Sequence, residues 1–117
     1  AVAKIHSALA NGGRVGDVQL LSPEICRSVM QTRIEGIDLV FGGPMAFGLG
    51  FGLHPVKADR RNLCFWGGWG GSRAIIDQDN ALSFAYVMNK MADGLLGDAR
   101  GDQLARATFM SLAAESQ

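Results

Sequence analysis

Seven consecutive residues, Trp66-Gly67-Gly68-Trp69-Gly70-Gly71-Ser72, join four glycines to two tryptophans and a serine, and they offer two kinds of chemistry. The first is nucleophilic. Gly70-Gly71-Ser72-Arg73-Ala74 comes within one residue of a G-x-S-x-G elbow, whose serine sits on a strand-to-helix turn and is followed in the chain by an acid and a histidine. Here an extended run follows, and no histidine occurs after His54, so Ser72 reads as a turn hydroxyl. The second kind is electrostatic. Where side chains are absent, an acyl group can lie along a strand edge, receive main-chain hydrogen bonds and present its carbonyl oxygen to a preorganised N–H donor. A well-aimed donor of this kind is worth about 3 to 4 kcal/mol of transition-state stabilisation. A tightly packed β-bend anchored by the two tryptophans stays open as the plainer alternative.

Other sites fail on spacing. No Gly-Lys-Ser/Thr occurs, so no phosphate-binding loop is written, and the run Gly48-x-Gly50-x-Gly52 places Leu53 where a dinucleotide fingerprint needs its pattern to continue. Asp77-Gln78-Asp79 hints at oxygen ligands but lacks the central glycine and terminal Glu of a calcium loop, and reads as a solvated hairpin turn. His6, in a helix, and His54, at a strand end, have no partner at metal-ligand spacing. Cys26 and Cys64 form no C-x-x-C and read as two buried free thiols. The expectation is no cofactor and no metal.

The elements that must hold the glycine segment follow from periodicity. Leu63 to Trp66, Arg73 to Ile76 and Leu82 to Met88 read as strands, the last two joined by the polar turn Asp77-Gln78-Asp79-Asn80 as an antiparallel hairpin. Phe47-Gly48-Leu49-Gly50-Phe51-Gly52-Leu53-His54 alternates strictly, which predicts one further strand with Phe47, Leu49, Phe51 and Leu53 on one face and a glycine face for close packing. Residues 33 to 46 lack a sustained period and read as a loop, and 55 to 62 as a charged connection. Ahead of these, Ala1 to Ala10 is helical with Val2, Ile5 and Leu9 on one face, and stops at Asn11-Gly12-Gly13. A short extended piece spans Arg14 to Leu21. Ser22-Pro23-Glu24 then opens a helix to about Thr32, through a hydroxyl cap, a first-turn proline and an acid near the positive dipole end. A last helix runs from about Asp98 to Ala114, with Leu104, Ala105, Thr108, Phe109 and Leu112 on one side. The fold class is therefore α+β: an antiparallel sheet of about four strands with flanking N-terminal and C-terminal helices.

Length allows one domain or part of one, with a modest core. Formal charge is zero and no basic cluster exceeds Asp59-Arg60-Arg61, which argues against nucleic-acid and membrane-surface partners. The chain opens without methionine or N-cap, already in helical period, and so reads as cut and not begun.

Trp66-Gly67-Gly68-Trp69-Gly70-Gly71-Ser72, then Asp77, then Phe84-Ala85-Tyr86-Val87-Met88-Asn89-Lys90-Met91, resembles the C-terminal part of the serine β-lactamase-like superfamily. The likeness is to class C β-lactamases, family VIII carboxylesterases and related penicillin-binding-protein homologues. Leu9 to Arg14 and Leu20 to Glu24 also resemble what precedes this motif in the family. The resemblance implies a β-lactamase/transpeptidase-like fold, with residues 1–117 as a single C-terminal segment from which the nucleophile-bearing part is absent. Three motifs build the family's site: Ser-x-x-Lys, Tyr-x-Asn or similar, and a Lys-Thr-Gly, His-x-Gly or Trp-x-Gly on a strand. The third is present as Trp66-Gly67-Gly68, which the resemblance makes substrate-binding. By the same carry-over the backbone N–H of Trp69 is an oxyanion donor. Trp66 in place of Lys resembles the esterase branch. No serine is followed three places on by lysine, and Tyr86 has Asn89 three places on, not two. The resulting expectation is the C-terminal portion of a serine hydrolase that acts on a small ester or amide through an acyl-enzyme and is inactive alone. Its partner is then the N-terminal portion of the hydrolase or another copy of the chain. A non-catalytic binding or oligomerisation module of the same fold is the alternative. Apolar faces such as Phe47/Leu49/Phe51 and Leu104/Phe109 are expected to lack full cover in isolation.

Overall fold

A computed structural model describes residues 1–53 and 62–115. The expected strand end at His54 and most of the charged connection from 55 to 62 lie outside the described residues. In chain order the elements are α1 (Val2–Ala10), β1 (Arg14–Val15), β2 (Val18–Gln19), α2 (Pro23–Val29), β3 (Ile34–Ile37), β4 (Pro44–Phe47), β5 (Gly52–Leu53), β6 (Leu63–Gly67), β7 (Arg73–Asp77), β8 (Leu82–Tyr86) and α3 (Ala99–Glu115). β1 and β2 pair as a small ribbon, and β3 to β8 form an antiparallel sheet in sequence order. The α+β class holds, with six strands in the main sheet where about four were expected.

Both additions have local causes. The segment expected to be a loop forms the β3–β4 hairpin because the Asp38 carboxylate accepts the Val40 and Phe41 N–H groups at 2.8 and 2.9 Å, and Gly42 N–H returns to Asp38 O at 2.9 Å. Every residue of β3 is exposed, so no one-sided burial pattern marks it in the sequence. The alternating run is not one strand. Gly50, at φ 79°, reverses the chain, Gly48 N–H closes on Phe51 O at 2.9 Å, and the run splits into the end of β4 and all of β5. Phe47 consequently faces Gly52 across two strands, and Leu49 is exposed at the turn. Close packing on glycine does occur: a Cβ on Gly48 would lie 2.2 Å from Val29 O, at the end of α2.

Strand register separates the two faces of the sheet. Cys64, Trp66, Ala74, Ile76, Ser83 and Ala85 share one face; Phe65, Gly67, Arg73, Ile75, Phe84 and Tyr86 share the other. α1 and α2 cover the first face, where Leu9, Ala10, Cys26, Val29, Ala46, Leu53, Cys64 and Ile76 form the core. α1 meets the sheet through Ala8, Leu9 and Ala10, whereas Ile5 is 70% exposed, which corrects the expected Val2/Ile5/Leu9 face. Small side chains let the helix backbone approach closely enough for Ser83 Oγ to donate to Ala3 O at 2.9 Å. α2 starts as its cap residues dictate, with Ile25 N–H donating to Ser22 Oγ at 3.2 Å, and ends at Val29, short of Thr32. α3 lies on the second face and buries Gly101 and Ala105; Thr108, Phe109 and Leu112 are half-buried, and Leu104, expected on that side, is 51% exposed.

Both cysteines are buried free thiols, and burial alone pushes the Cys64 thiol up to about 12. Burial also raises Cys26. The β7–β8 turn is less solvated than expected. Asp77 is fully buried and accepts the Asp79 and Asn80 N–H groups at 3.0 and 3.1 Å and Asn80 Nδ2 at 2.7 Å, while Gln78 Nε2 donates to Leu9 O and Cys26 O at 3.1 and 2.8 Å. The turn thus ties the end of α1 and the middle of α2 to the sheet. No helix among the described residues is long and apolar enough to cross a membrane, and those residues contain no cluster of metal-ligating side chains.

Candidate functional site

The glycine segment leaves the sheet at Gly67 and re-enters it at Arg73, register partners across β6 and β7. Between them Gly71 N–H donates to Gly68 O at 3.2 Å, and Gly70, at φ 102°, takes the position of a type II turn that requires the left-handed region. Gly68 N–H closes the loop on Ser72 O at 3.0 Å. Trp69 is therefore the first central residue of the turn. Its side chain is 69% exposed, so it does not anchor the bend, and its N–H has no acceptor among the described residues. Gly68, Gly70 and Gly71 N–H groups are all occupied. Among the described residues the Trp69 N–H, to which the family resemblance gives the oxyanion role, is thus the donor of the turn without an acceptor.

Trp66 points to the α1 face and is partly exposed, with its ring 6.1 Å from that of Phe47 at a tilt of 55°. A cleft of about 460 Å³ opens beside it, lined by Val2, His6, Trp66, Gly67, Gly68, Ser72, Arg73, Ala74, Tyr86 and Val87. The structure thus brings Trp66, Gly67 and Gly68 to one cleft, with Trp69 adjoining. β5 pairs with β6 only at Gly52–Phe65 and Leu53–Cys64, so among the described residues the main chain of Trp66 and Gly67 is paired on the β7 side alone. This is an open strand edge next to a free N–H.

The close approach that the glycines permit is made by the protein itself. Residues 88 to 98 cross under the turn as a strap. A Cβ on Gly67 would lie 2.5 Å from the Leu96 carbonyl carbon, and one on Gly71 would lie 2.1 Å from Asp98 Oδ2. Gly70 N–H donates to Gly94 O at 2.9 Å, and Ala92 N–H returns to Gly70 O at 3.0 Å. Side-chain-free faces at Gly67, Gly70 and Gly71 are thus used by the strap, leaving the β6 edge for any ligand. The side chains that fasten the strap went unrecognised in the sequence. Arg73 Nη1 reaches Asp102 at 2.5 Å, and Leu96 O at 3.4 Å, with its guanidinium 5.7 Å over the Phe65 ring. Arg100 pairs with Asp98 and lies 6.0 Å over the Tyr86 ring; its side-chain hydrogen bonds hold the Asp98 carboxyl below the usual carboxylate range. No local signal marks these basic residues, because their partners are 23 to 30 residues away or in a loop without period.

His6 is half-buried and lines the cleft. Its Nδ1–H donates to Val2 O at 2.9 Å, and the ring meets Phe51 edge-on at 5.9 Å. Ser72 leads into a strand, as expected, and lacks the helix of a nucleophile elbow. Tyr86 ends β8 opposite Arg73 and packs against Gly101 of α3.

The same arrangement of elements occurs in solved structures. A family VIII carboxylesterase superposes with a TM-score of 0.83 at 32% sequence identity, over 93% of this chain and 30% of its own. A penicillin-binding-protein homologue from Caulobacter crescentus superposes with a TM-score of 0.85 at 33% identity, over 94% of this chain and 30% of its own. In structure the chain matches the serine β-lactamase-like superfamily. It corresponds to the C-terminal part of the β-lactamase-like fold and spans 30% of the length of each of these two structures. No protein-family profile matches the chain, and no curated protein matches it by sequence.

Proposed function

We propose that this chain supplies the oxyanion-donating wall of a β-lactamase-like serine hydrolase that cleaves a small ester or amide through an acyl-enzyme. The observation that carries the reading is the unoccupied N–H of Trp69, at the tip of a turn whose other N–H groups are bonded, beside the open edge of β6. An acyl group laid along Trp66 and Gly67 would direct its carbonyl oxygen toward that donor. Attack by a serine converts the carbonyl to a tetrahedral alkoxide, and an N–H that is already fixed stabilises the new charge without reorganising. The nucleophile, its base and a second donor would come from the Ser-x-x-Lys portion of the fold, which this chain does not carry. The likeness to a carboxylesterase and the presence of Trp66 where β-lactamases use Lys favour an uncharged ester over a β-lactam carboxylate.

The test uses the chain combined with the Ser-x-x-Lys portion and compares Trp69→Pro with Trp69→Ala. Proline suits the first central position of a type II turn and removes the N–H without breaking any hydrogen bond seen here, whereas alanine removes only the indole. Trp69→Pro is expected to lower kcat for a p-nitrophenyl ester about 10²- to 10³-fold below Trp69→Ala. Equal rates for the two variants would remove Trp69 from the mechanism.

A further inference from the structure

Gly70 is pinned at both of its peptide groups. Its N–H is held by Gly94 O, and its carbonyl accepts both Ala92 N–H and Arg100 Nη2, the latter at 3.2 Å. Arg100 reaches three places at once: Gly70 O, Lys90 O through Nη1 at 2.9 Å, and the Asp98 carboxylate through Nε and Nη2. Asp98 in turn accepts the Arg100 backbone N–H at 2.9 Å at the start of α3 and stands directly against Gly71. A planar guanidinium with five donors can serve such a divergent set, and a single ammonium cannot. Rotation of the Trp69–Gly70 peptide requires the Gly70 N–H bond to Gly94 O to break, and rotation of the Gly70–Gly71 peptide requires the bonds of Gly70 O to Ala92 and Arg100 to break, so the turn that follows Trp69 is held from both sides.

We infer that Arg100, oriented by Asp98, is the positioning residue of the Trp69 donor: it locks the Gly70 carbonyl and so fixes the turn that carries the Trp69 N–H beside the cleft. The inference rests on the reading of Trp69 as oxyanion donor. Arg100 touches neither the β6 edge nor a reacting atom; its effect is transmitted through one peptide. A misaimed donor lowers the rate of the chemical step and leaves ground-state binding along the strand edge in place.

Two measurements on Arg100→Lys, which keeps the charge, test this. Hydrogen exchange on the chain should quicken at least about 10-fold at Gly70 and Ala92, the amides of the clamped turn and strap, while β6 to β8 keep their protection. In the chain combined with the Ser-x-x-Lys portion, kcat for a p-nitrophenyl ester should fall about 10- to 100-fold with KM unchanged. Asp98→Asn should shift both in the same direction and by less. Unchanged exchange at Gly70, or faster exchange spread evenly over the sheet, overturns the clamp. Local loosening with unchanged kcat, where Trp69→Pro still costs activity, overturns the positioning role. Full activity of Trp69→Pro overturns the donor reading and the positioning role with it, and is recognised by its own variant.

Discussion

Gly67→Ala puts one methyl group where the strap crosses the sheet, and its cost can be worked from the contacts. The new Cβ would stand 2.5 Å from the Leu96 carbonyl carbon, 2.7 Å from its oxygen and 2.9 Å from Gly97 N, all backbone atoms. Ordinary carbon contacts need about 3.5 to 4.0 Å, so the strap must retreat by roughly 1 Å. Overpacking of this kind costs about 1 to 3 kcal/mol. Gly67 lies in a strand outside the left-handed region, so alanine also gains about 0.4 to 1 kcal/mol by restricting the unfolded chain. The net expectation is a loss of about 1 to 2 kcal/mol. Gly36 supplies the control: it too lies in a strand, but nothing stands within 4 Å of its Cβ position, so Gly36→Ala should be neutral or stabilising. Urea denaturation followed by circular dichroism measures both, and a loss of 1 kcal/mol corresponds to about 4 to 8 °C in Tm for a domain near this size. Equal stability of Gly67→Ala and Gly36→Ala would refute the argument that the strap occupies the glycine face.

Cys64 gives a pH dependence of defined sign. Its folded thiol is raised to about 12 by burial, whereas an unfolded thiol titrates near about 8.5, so the unfolded state sheds its proton first and stability falls as pH rises through that window. The slope is up to about 1.4 kcal/mol per pH unit, and urea midpoints from pH 8 to 10 should be flatter in Cys64→Ala than in the parent. The chain by itself, carrying no Ser-x-x-Lys, should leave nitrocefin and p-nitrophenyl esters unconverted above buffer; turnover by a purified sample would locate a nucleophile in these residues.

Some of this protein was written in local sequence. Ser22-Pro23-Glu24 fixes the start of α2 because capping is an interaction within one turn, and the β7–β8 hairpin is legible because its polar turn separates two strands of similar length. The glycine–tryptophan segment announced a close backbone approach, since absence of side chains is a property of consecutive residues, whereas Trp69 as a donor came only from what the family resemblance implies. What the sequence could not say was what makes that approach. The strap, the clamps from Arg73 and Arg100, the split of the alternating run at Gly50 and the exposed β3–β4 hairpin depend on partners distant in the chain or on burial that has no local period. Ile5 and Leu104 failed as core residues for the same reason: periodicity identifies apolar faces, and only packing decides which of them is covered. Whether a backbone N–H is free or bonded is likewise settled only when the rest of the chain has folded around it, because each buried donor takes whatever acceptor the tertiary structure brings within reach.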